Sequence, residues 1–219
     1  MIVNERIETY INSLGTNFPG YLLDVEKEAL ENDVPIIRKS MQEFIKYQMV
    51  TVNPKNILEI GTAVGFSALL MHEYAREAKI TTIENYPPRI KKAKENFENF
   101  ARKDTITLIE GDALEVLPQL KDKFDFIFID AAKGQYMNYM EIILKQLEVG
   151  GILLSDNVLQ DGDIIESRYA VTRRNRTIHS RMREYLYFLK HDDRLETLVL
   201  PVGDGITISK KIKMEDAHE

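Results

Sequence analysis

The stretch ILEIGTAVGFS, residues 57–67, begins as an apolar run of strand character and passes through two glycines into a segment of helical character. Gly61 and Gly65 carry no Cβ, so they allow a ligand to contact the backbone at this turn. Their G-x-x-x-G spacing departs from the G-x-G-x-x-G turn that holds the pyrophosphate of a dinucleotide. The stretch therefore predicts a strand–turn–helix unit of an α/β fold and argues against NAD as its ligand.

Apolar runs of strand length alternate with amphipathic segments along the chain, which is typical of a parallel sheet covered by helices on both faces. The predicted strands are 56–60, 79–84, 105–110, 124–130 and 150–156. The predicted helices are 65–76, 87–102 and 134–147. Two further runs, 194–201 and 205–211, flank VGDG, whose glycines permit a tight hairpin turn, and we expect them to add antiparallel strands at one edge.

The first 52 residues have a different character, with about three amphipathic helical stretches interrupted near Gly15–Gly20 and Pro35. We expect residues 1–52 to form a helical cap on an α/β core of residues 53–219. A chain of 219 residues with 44% hydrophobic composition can bury one good core. The sequence therefore predicts a single domain over residues 1–219.

Composition excludes several kinds of site. The chain contains no cysteine, so it offers no disulfide, no Cys-ligated metal and no thiol nucleophile. It has no apolar run long enough for a signal peptide or a membrane span, so we expect a cytoplasmic protein without membrane attachment. A net charge of -6 argues against a generally basic surface for nucleic acid, although it leaves a local basic patch open.

Acidic residues follow the first three predicted strands. Glu59 beside the glycine turn suits a ligand that bears an ammonium group, as S-adenosylmethionine does. Glu84, at the end of the next strand, could accept hydrogen bonds from both hydroxyls of a ribose, and Gly111-Asp112-Ala113 suits the edge of an adenine. Taken singly, each carboxylate could equally cap a helix or be solvated. Their joint occurrence at the carboxyl ends of strands, where open α/β sheets bind ligands, predicts a site for S-adenosylmethionine.

A second polar group follows the fourth and fifth strands. Asp130 ends one strand and Asp156-Asn157 ends the next, so these oxygens are expected to lie side by side. Oxygen ligands without His or Cys favour a hard cation such as Mg²⁺, Mn²⁺ or Ca²⁺. Lys133 lies three residues after Asp130 and could remove a proton from a substrate held there. The structural alternative is a helix cap at Asp130 and a turn at Asp156-Asn157.

Four motifs together resemble those of the cation-dependent, S-adenosylmethionine-dependent O-methyltransferases, which include catechol and caffeoyl-CoA O-methyltransferases. These motifs are IGTAVGFS, DFIFIDAAKGQY, GGILLSDNV and LPVGDGITISKKI, and the resemblance spans roughly residues 34–212. It implies a Rossmann-like class I methyltransferase fold with a seven-stranded, mostly parallel sheet. It also implies a homodimer, with the first 50 residues and the hairpin near Val202–Gly205 as candidate contacts.

The resemblance assigns roles to individual residues. It places a Mg²⁺ or Mn²⁺ ion on Asp130, Asp156 and Asn157 and makes Lys133 the catalytic lysine. A residue near Ile37 would help to close the cofactor site. The implied cofactor contacts are Glu59, Gly61, Ser67, Glu84, Asp112, Ala113 and Asp130, in addition to the turn glycine Gly65.

The segment SRYAVTRRNRTIHSRMREY reverses the charge of the chain locally, with six arginines and no carboxylate between residues 168 and 183. Guanidinium groups bind phosphates in a bidentate manner, so this segment favours a polyanionic substrate. RRNRTI and the LPVGDGITISKK segment after it are similar to bacterial tRNA 5-hydroxyuridine methyltransferases. That similarity implies methylation of 5-hydroxyuridine in tRNA, with Arg173, Arg174 and Arg176 as candidate tRNA contacts.

Other functions remain open at the level of the sequence. A solvated basic helix face or a dimer contact would also explain the arginines. A methyltransferase acting on a small catechol or a caffeoyl-CoA-like substrate would use the same metal residues, and coenzyme A phosphates could engage the arginines. A nicotinamide oxidoreductase lacks the dinucleotide turn, and a nonenzymatic RNA-binding module leaves Asp130, Lys133, Asp156 and Asn157 without a role.

Overall fold

The computed structural model describes residues 3–101 and 104–213. The helices of this part of the chain are α1 (Glu5–Ser13), α2 (Gly20–Glu31), α3 (Lys39–Val52), α4 (Phe66–Tyr74), α5 (Pro87–Phe100), α6 (Ala113–Val116), α7 (Tyr136–Gln146) and α8 (Arg176–His191). The strands are β1 (Asn56–Ile60), β2 (Lys79–Glu84), β3 (Ile106–Glu110), β4 (Phe124–Ile129), β5 (Leu147–Ser155), β6 (Leu195–Leu200) and β7 (Ile206–Lys211). Short 3₁₀ turns lie at Leu117–Gln119, Lys133–Gln135 and Gln160–Ile165.

The strands form one seven-stranded mixed sheet in the order β3-β2-β1-β4-β5-β7-β6. The β1–β2, β2–β3 and β4–β5 pairs are parallel, whereas β7 runs antiparallel to both β5 and β6. The predicted seven-stranded, mostly parallel sheet and the predicted hairpin are thus confirmed.

The first of two compact units comprises Asn4–Val116. Its strand β1 is buried from Ile57 to Ile60, as expected for a strand in a parallel sheet covered on both faces. Helix α5 begins at Pro87, where the missing N–H of proline needs no partner. The predicted helix 87–102 extends beyond this helix, and residue 102 lies outside the described residues. The three predicted helices of residues 1–52 are confirmed as α1 to α3 and belong to this unit.

The second compact unit comprises the described residues from Leu117 onward. Strand β4 is fully buried from Phe126 to Ile129, so its apolar run is the centre of this unit's core. Helix α8, which the sequence analysis did not assign, buries Met182, Tyr185 and Leu189 at helical spacing. Strand β5 begins three residues before its predicted start, at the buried Leu147, and the exposed residues 148–150 separate Leu147 from the continuous buried run 151–155. The single domain over residues 1–219 stays a prediction.

In the part of the chain that the structure describes, none of the helices has the length and apolarity needed to cross a membrane.

Candidate active site

The glycine turn after β1 requires glycine for steric reasons. Gly61 and Gly65 adopt φ angles of 104° and 85°, which side-chain-bearing residues rarely adopt. A Cβ on Gly65 would lie 2.5 Å from Cε1 of Phe97. The amide of Gly61 donates to the carbonyl of Ile83 at 3.0 Å, which ties the turn to the end of β2. The turn therefore adopts this conformation because both positions are glycine.

Glu59 is completely buried beneath this turn. Its carboxylate accepts hydrogen bonds from Oγ of Ser67 at 2.5 Å and from Oγ1 of Thr82 at 2.5 Å. Thr62 and Thr82 share a further hydroxyl–hydroxyl contact of 2.6 Å. The sequence analysis missed both threonines, because nothing in the linear sequence distinguishes them from other strand or turn residues. A buried carboxylate held in this orientation suits a positively charged ligand.

Glu84 organises the next strand end. One of its oxygens accepts from the amide of Ala63 at 2.9 Å, and the other accepts from Asn85 at 2.9 Å and Tyr86 at 3.0 Å. The carbonyl of Glu84 accepts from the amide of Gly111 at 2.9 Å. The three predicted cofactor segments, around Gly61, Glu84 and Gly111, are therefore linked directly by hydrogen bonds within this unit.

The remaining predicted cofactor residues of this unit differ in exposure. Asp112 is exposed and caps α6 by accepting from the amide of Leu114 at 2.8 Å, whereas Ala113 is buried. Ile37 is also buried, and its carbonyl accepts from Nε2 of Gln42 at 3.0 Å, which holds the start of α3.

The second unit brings the predicted metal residues together. The amide of Asp156 donates to the carbonyl of Ile129 at 3.0 Å, which continues the β4–β5 register and sets Asp130 beside Asp156. Asn157 has a φ angle of 60°, and its amide donates to Oδ1 of Asp156 at 2.7 Å. Non-glycine residues in this conformation are uncommon and concentrate at functional sites.

The buried carboxyl of Asp156 dominates the electrostatics of this group. Burial raises the pKa of Asp156 above its ordinary value, and the charge of Asp204 adds to the increase, while Asn157 and Lys133 oppose it. Within residues 3–101 and 104–213, no group of three or more His, Cys, Asp or Glu side chains is placed to hold a metal. The predicted set consists instead of two carboxylates and one amide oxygen, which are donor types that Mg²⁺ and Mn²⁺ accept.

Lys133 lies in the 3₁₀ turn between β4 and α7, and its Nζ is 3.4 Å from Oδ2 of Asp204. Asp204 belongs to the VGDG turn between β6 and β7. The sequence analysis used this turn as a hairpin signal, as part of a family motif and as a candidate dimer contact, but assigned no role to Asp204, although the acidic residue between two glycines was an available clue. The side-chain nitrogen of Lys133 is thus held at the same cluster as Asp156.

Tyr136 lies beside the predicted metal residues. It is fully buried, and its hydroxyl lies 3.1 Å from the carbonyl of Asp156 and 3.4 Å from that of Ile129. Its ring packs edge-on against Tyr185, whose hydroxyl lies 2.6 Å from Oγ of Ser155. Two buried tyrosines therefore fix the strand ends that carry Asp130 and Asp156.

The six arginines do not form one free surface. Arg181 donates to the carbonyl of Gly134 at 2.9 Å and Arg183 to that of Ile164 at 3.1 Å. Arg176 donates to the carbonyls of Val171 and Tyr169. Arg173 and Arg174 are exposed. Three of the arginines thus stabilise the segment around α8, whereas Arg168, Arg173 and Arg174 are exposed and could meet a ligand.

Comparison with known proteins gives a consistent family. The family model described as O-methyltransferase matches residues 16–212. The chain is 36% identical to a caffeoyl-CoA O-methyltransferase of Citrus natsudaidai over 194 residues, which cover 81% of both chains. It is 34% identical to that of Eucalyptus gunnii over 186 residues, which cover 78% of this chain and 72% of the relative.

Solved structures agree with this result. A candidate caffeoyl-CoA O-methyltransferase of Staphylococcus aureus superposes with a TM-score of 0.88 at 32% identity, covering 94% of this chain and 100% of its own. The SAH-bound methyltransferase PaMTH1 of Podospora anserina superposes with a TM-score of 0.86 at 30% identity, covering 96% and 97%. The chain therefore belongs to the O-methyltransferase family and is an S-adenosylmethionine-dependent enzyme of the caffeoyl-CoA O-methyltransferase type.

Proposed function

We propose that the protein methylates one of two adjacent oxygens on a small aromatic substrate of the catechol or caffeoyl-CoA kind, with the aid of a divalent cation. The observation that carries the proposal is the grouping of Asp130, Asp156, Asn157 and Lys133 at the ends of β4 and β5. The names of the caffeoyl-CoA O-methyltransferase relatives support this substrate class.

Asp130, Asp156 and Asn157 would hold the cation, which is Mg²⁺ or Mn²⁺ in this proposal. When bound, the cation supplies charge that orients two neighbouring oxygens and makes a hydroxyl more acidic. Lys133 then accepts the proton of that hydroxyl. The resulting oxyanion attacks the methyl group of S-adenosylmethionine, so an O–C bond forms as the S–C bond breaks and S-adenosylhomocysteine leaves.

The cofactor would be held by the residues of the first unit. Glu59 is suited to charge attraction towards the ammonium group of S-adenosylmethionine, and Glu84 to its ribose hydroxyls. The glycine turn allows close approach of the backbone, and Ser67 keeps the Glu59 carboxylate in position. Asp112 and Ala113 would border the adenine.

Transfer to 5-hydroxyuridine in tRNA is a second candidate, and the exposed pair Arg173 and Arg174 favours it. A 5-hydroxyuracil also presents two neighbouring oxygens, so the same chemistry applies. Arg176 fits this role less well, because it donates to the carbonyls of Val171 and Tyr169. Coenzyme A phosphates are an alternative ligand for Arg173 and Arg174.

The test measures transfer of label from methyl-labelled S-adenosylmethionine to caffeoyl-CoA, to a simple catechol and to tRNA carrying 5-hydroxyuridine, with Mg²⁺ or with EDTA. We expect metal-dependent label in the aromatic substrates. Label in tRNA alone would favour the second candidate over the first. A rate of methyl transfer that EDTA leaves unchanged would refute the role of the cation.

The arginines are tested with Arg173→Ala/Arg174→Ala and with the charge-matched control Lys79→Ala/Lys91→Ala on another exposed surface. If coenzyme A phosphates bind the arginines, the first variant raises the KM for caffeoyl-CoA and leaves that for a catechol unchanged. The lysine control should alter neither value. An equal KM for caffeoyl-CoA in the wild type and the arginine variant would refute the contact between these arginines and the coenzyme A phosphates.

A further inference from the structure

We propose that Asp204 is a positioning residue that presents the amine of Lys133 to the substrate and fixes the segment that follows the metal residues. The inference rests on the proposed function, since it assumes that Lys133 accepts the substrate proton. Asp204 lies in the turn between β6 and β7, 71 residues from Lys133 in sequence.

The first support is the contact between the two side chains. Nζ of Lys133 lies 3.4 Å from Oδ2 of Asp204. The Asp204 side chain is only 6% exposed, whereas that of Lys133 is 29% exposed. A buried carboxylate is held firmly by its surroundings, while a lysine has a flexible four-carbon stem. Asp204 therefore restricts where the amine of Lys133 can be.

The second support is the use of the other carboxylate oxygen. Oδ1 of Asp204 accepts a hydrogen bond from the amide of Asp161. The amide of Leu159 donates to the carbonyl of Asp204 at 3.0 Å, and that of Val158 donates to the carbonyl of Gly205 at 2.9 Å. The chain that leaves Asn157 is thus tied to the same turn by the amides of Val158, Leu159 and Asp161.

Backbone conformation shows that this connection is specific. Asn157, Gln160 and Asp161 all have positive φ angles, at 60°, 51° and 53°. Such conformations cost free energy and persist only where the surroundings enforce them. The hydrogen bonds to Asp204 and Gly205 provide that enforcement. One carboxylate therefore orients the catalytic lysine and stabilises an unusual backbone next to the metal residues.

Asp204→Asn separates these two functions. The asparagine keeps an oxygen that can accept from the amide of Asp161 but removes the charge that attracts Lys133. We expect kcat to fall roughly 10- to 100-fold, because small displacements of a catalytic group carry costs of this order. The KM values for S-adenosylmethionine and for the methyl acceptor should stay within about 2-fold of the wild-type values, since the residues proposed to bind these two molecules are unchanged.

A double-mutant cycle with Lys133→Met tests whether Asp204 acts through the lysine. In the Lys133→Met background, Asp204→Asn should lower the residual rate by less than about 2-fold, because the group that it positions is gone. An equal loss in both backgrounds would show a general structural role and overturn the proposal. Asp192→Asn is the matched control, because Asp192 is also paired with a basic side chain, that of Arg194. It should leave kcat unchanged.

A second readout does not depend on turnover. Acetylation of Lys133 by acetic anhydride, which transfers its acetyl group to an amine and releases acetate, should be faster in Asp204→Asn than in the wild type and unchanged in Asp192→Asn, as followed by mass spectrometry. Equal rates of acetylation in all three proteins would contradict the proposal that Asp204 restricts the Lys133 side chain. Absence of metal-dependent methyl transfer by the wild type would refute the proposed function. If the wild type transfers methyl but Asp204→Asn lowers kcat equally in the wild-type and Lys133→Met backgrounds, only the role of Asp204 is refuted.

Discussion

Glu59 and Asp156 are both buried carboxylates at strand ends, but their surroundings differ. Glu59 accepts hydrogen bonds from the hydroxyl groups of Ser67 and Thr82. Asp156 is buried beside the acidic Asp204, and its pKa is raised. A divalent cation would relieve this unfavourable charge, whereas Glu59 suits the single charge of an ammonium group. The two carboxylates are thus suited to different cations.

Removing the Tyr136 hydroxyl tests its effect on the metal residues. In Tyr136→Phe the carbonyls of Ile129 and Asp156 lose a hydrogen-bond donor, so the Asp156 backbone is less firmly held. We expect the affinity for Mn²⁺ to fall roughly 10-fold, which is typical for loss of a group that supports metal ligands. The measurement is Mn²⁺ titration followed by electron paramagnetic resonance.

Two controls accompany this measurement. Tyr187→Phe, on the exposed face of α8, should bind Mn²⁺ like the wild type. Binding of S-adenosylmethionine to Tyr136→Phe should also be unchanged. Wild-type Mn²⁺ affinity in Tyr136→Phe would mean that ring packing alone positions Asp156.

At the scale of elements, the end of α8 is held by an ion pair. Asp192 accepts from Nε of Arg194 at 2.8 Å and from its amide at 2.9 Å. The hydrogen bonds from Arg194 lower the pKa of Asp192. Because the folded-state pKa is lower than the unfolded value, the pair stabilises the fold above the unfolded pKa. This stability is lost as pH falls through the folded pKa.

The corresponding variant is Asp192→Asn. We expect it to lower the free energy of unfolding by about 1 kcal/mol at pH 7. The difference from the wild type should shrink below about pH 4, the unfolded pKa of an aspartate, and disappear once Asp192 is protonated. Urea unfolding at a series of pH values gives the result, and a difference that is independent of pH would contradict the charge argument.

The β6–β7 turn depends on a close approach at Gly205. This residue has a φ angle of 82°, and a Cβ would lie 2.2 Å from Cγ of Leu159. Gly150 has a similar φ angle of 87° with no atom within 4 Å of the Cβ position. The two glycines therefore differ in steric contact but share the same backbone requirement.

Gly205→Ala and Gly150→Ala form a matched pair. Gly150→Ala should lower the free energy of unfolding by about 1–2 kcal/mol, the cost of left-handed backbone in an alanine. Gly205→Ala should cost about 1–3 kcal/mol more, because Leu159 must move. Thermal or urea unfolding compares the two variants, and equal losses would show that the contact with Leu159 has no energetic effect.

At the scale of the whole molecule, binding of the cation should raise the free energy of unfolding. A cation that binds only the folded protein at about 100 times its dissociation constant stabilises the fold by ~2.7 kcal/mol. We expect Mg²⁺ to raise the unfolding midpoint of the wild type and EDTA to reverse the increase. Asp156→Asn should abolish this response, while Asp122→Asn in an exposed loop should retain it. An identical Mg²⁺ response in Asp156→Asn would exclude Asp156 as a ligand.

Much of the fold could be predicted because its signals are local. Strands β1 and β2 have the bounds that were predicted from the sequence, and α5 begins at its proline. Helix α8 could not be assigned with the same ease, because its arginines masked the apolar stripe of Met182, Tyr185 and Leu189. The arginines suggested a ligand surface, whereas several of them bind nearby backbone carbonyls.

The sequence by itself determined the alternation of strands and helices, the glycine turn and the acidic strand ends, because each depends on residues that are neighbours along the chain. Only the tertiary structure revealed that Asp204 contacts Lys133 across 71 residues and that Tyr136 supports the backbone of Asp156 across 20. These contacts depend on strand register and on side-chain packing between distant segments. A linear pattern contains the residues that make such contacts, but it does not contain the distances between them.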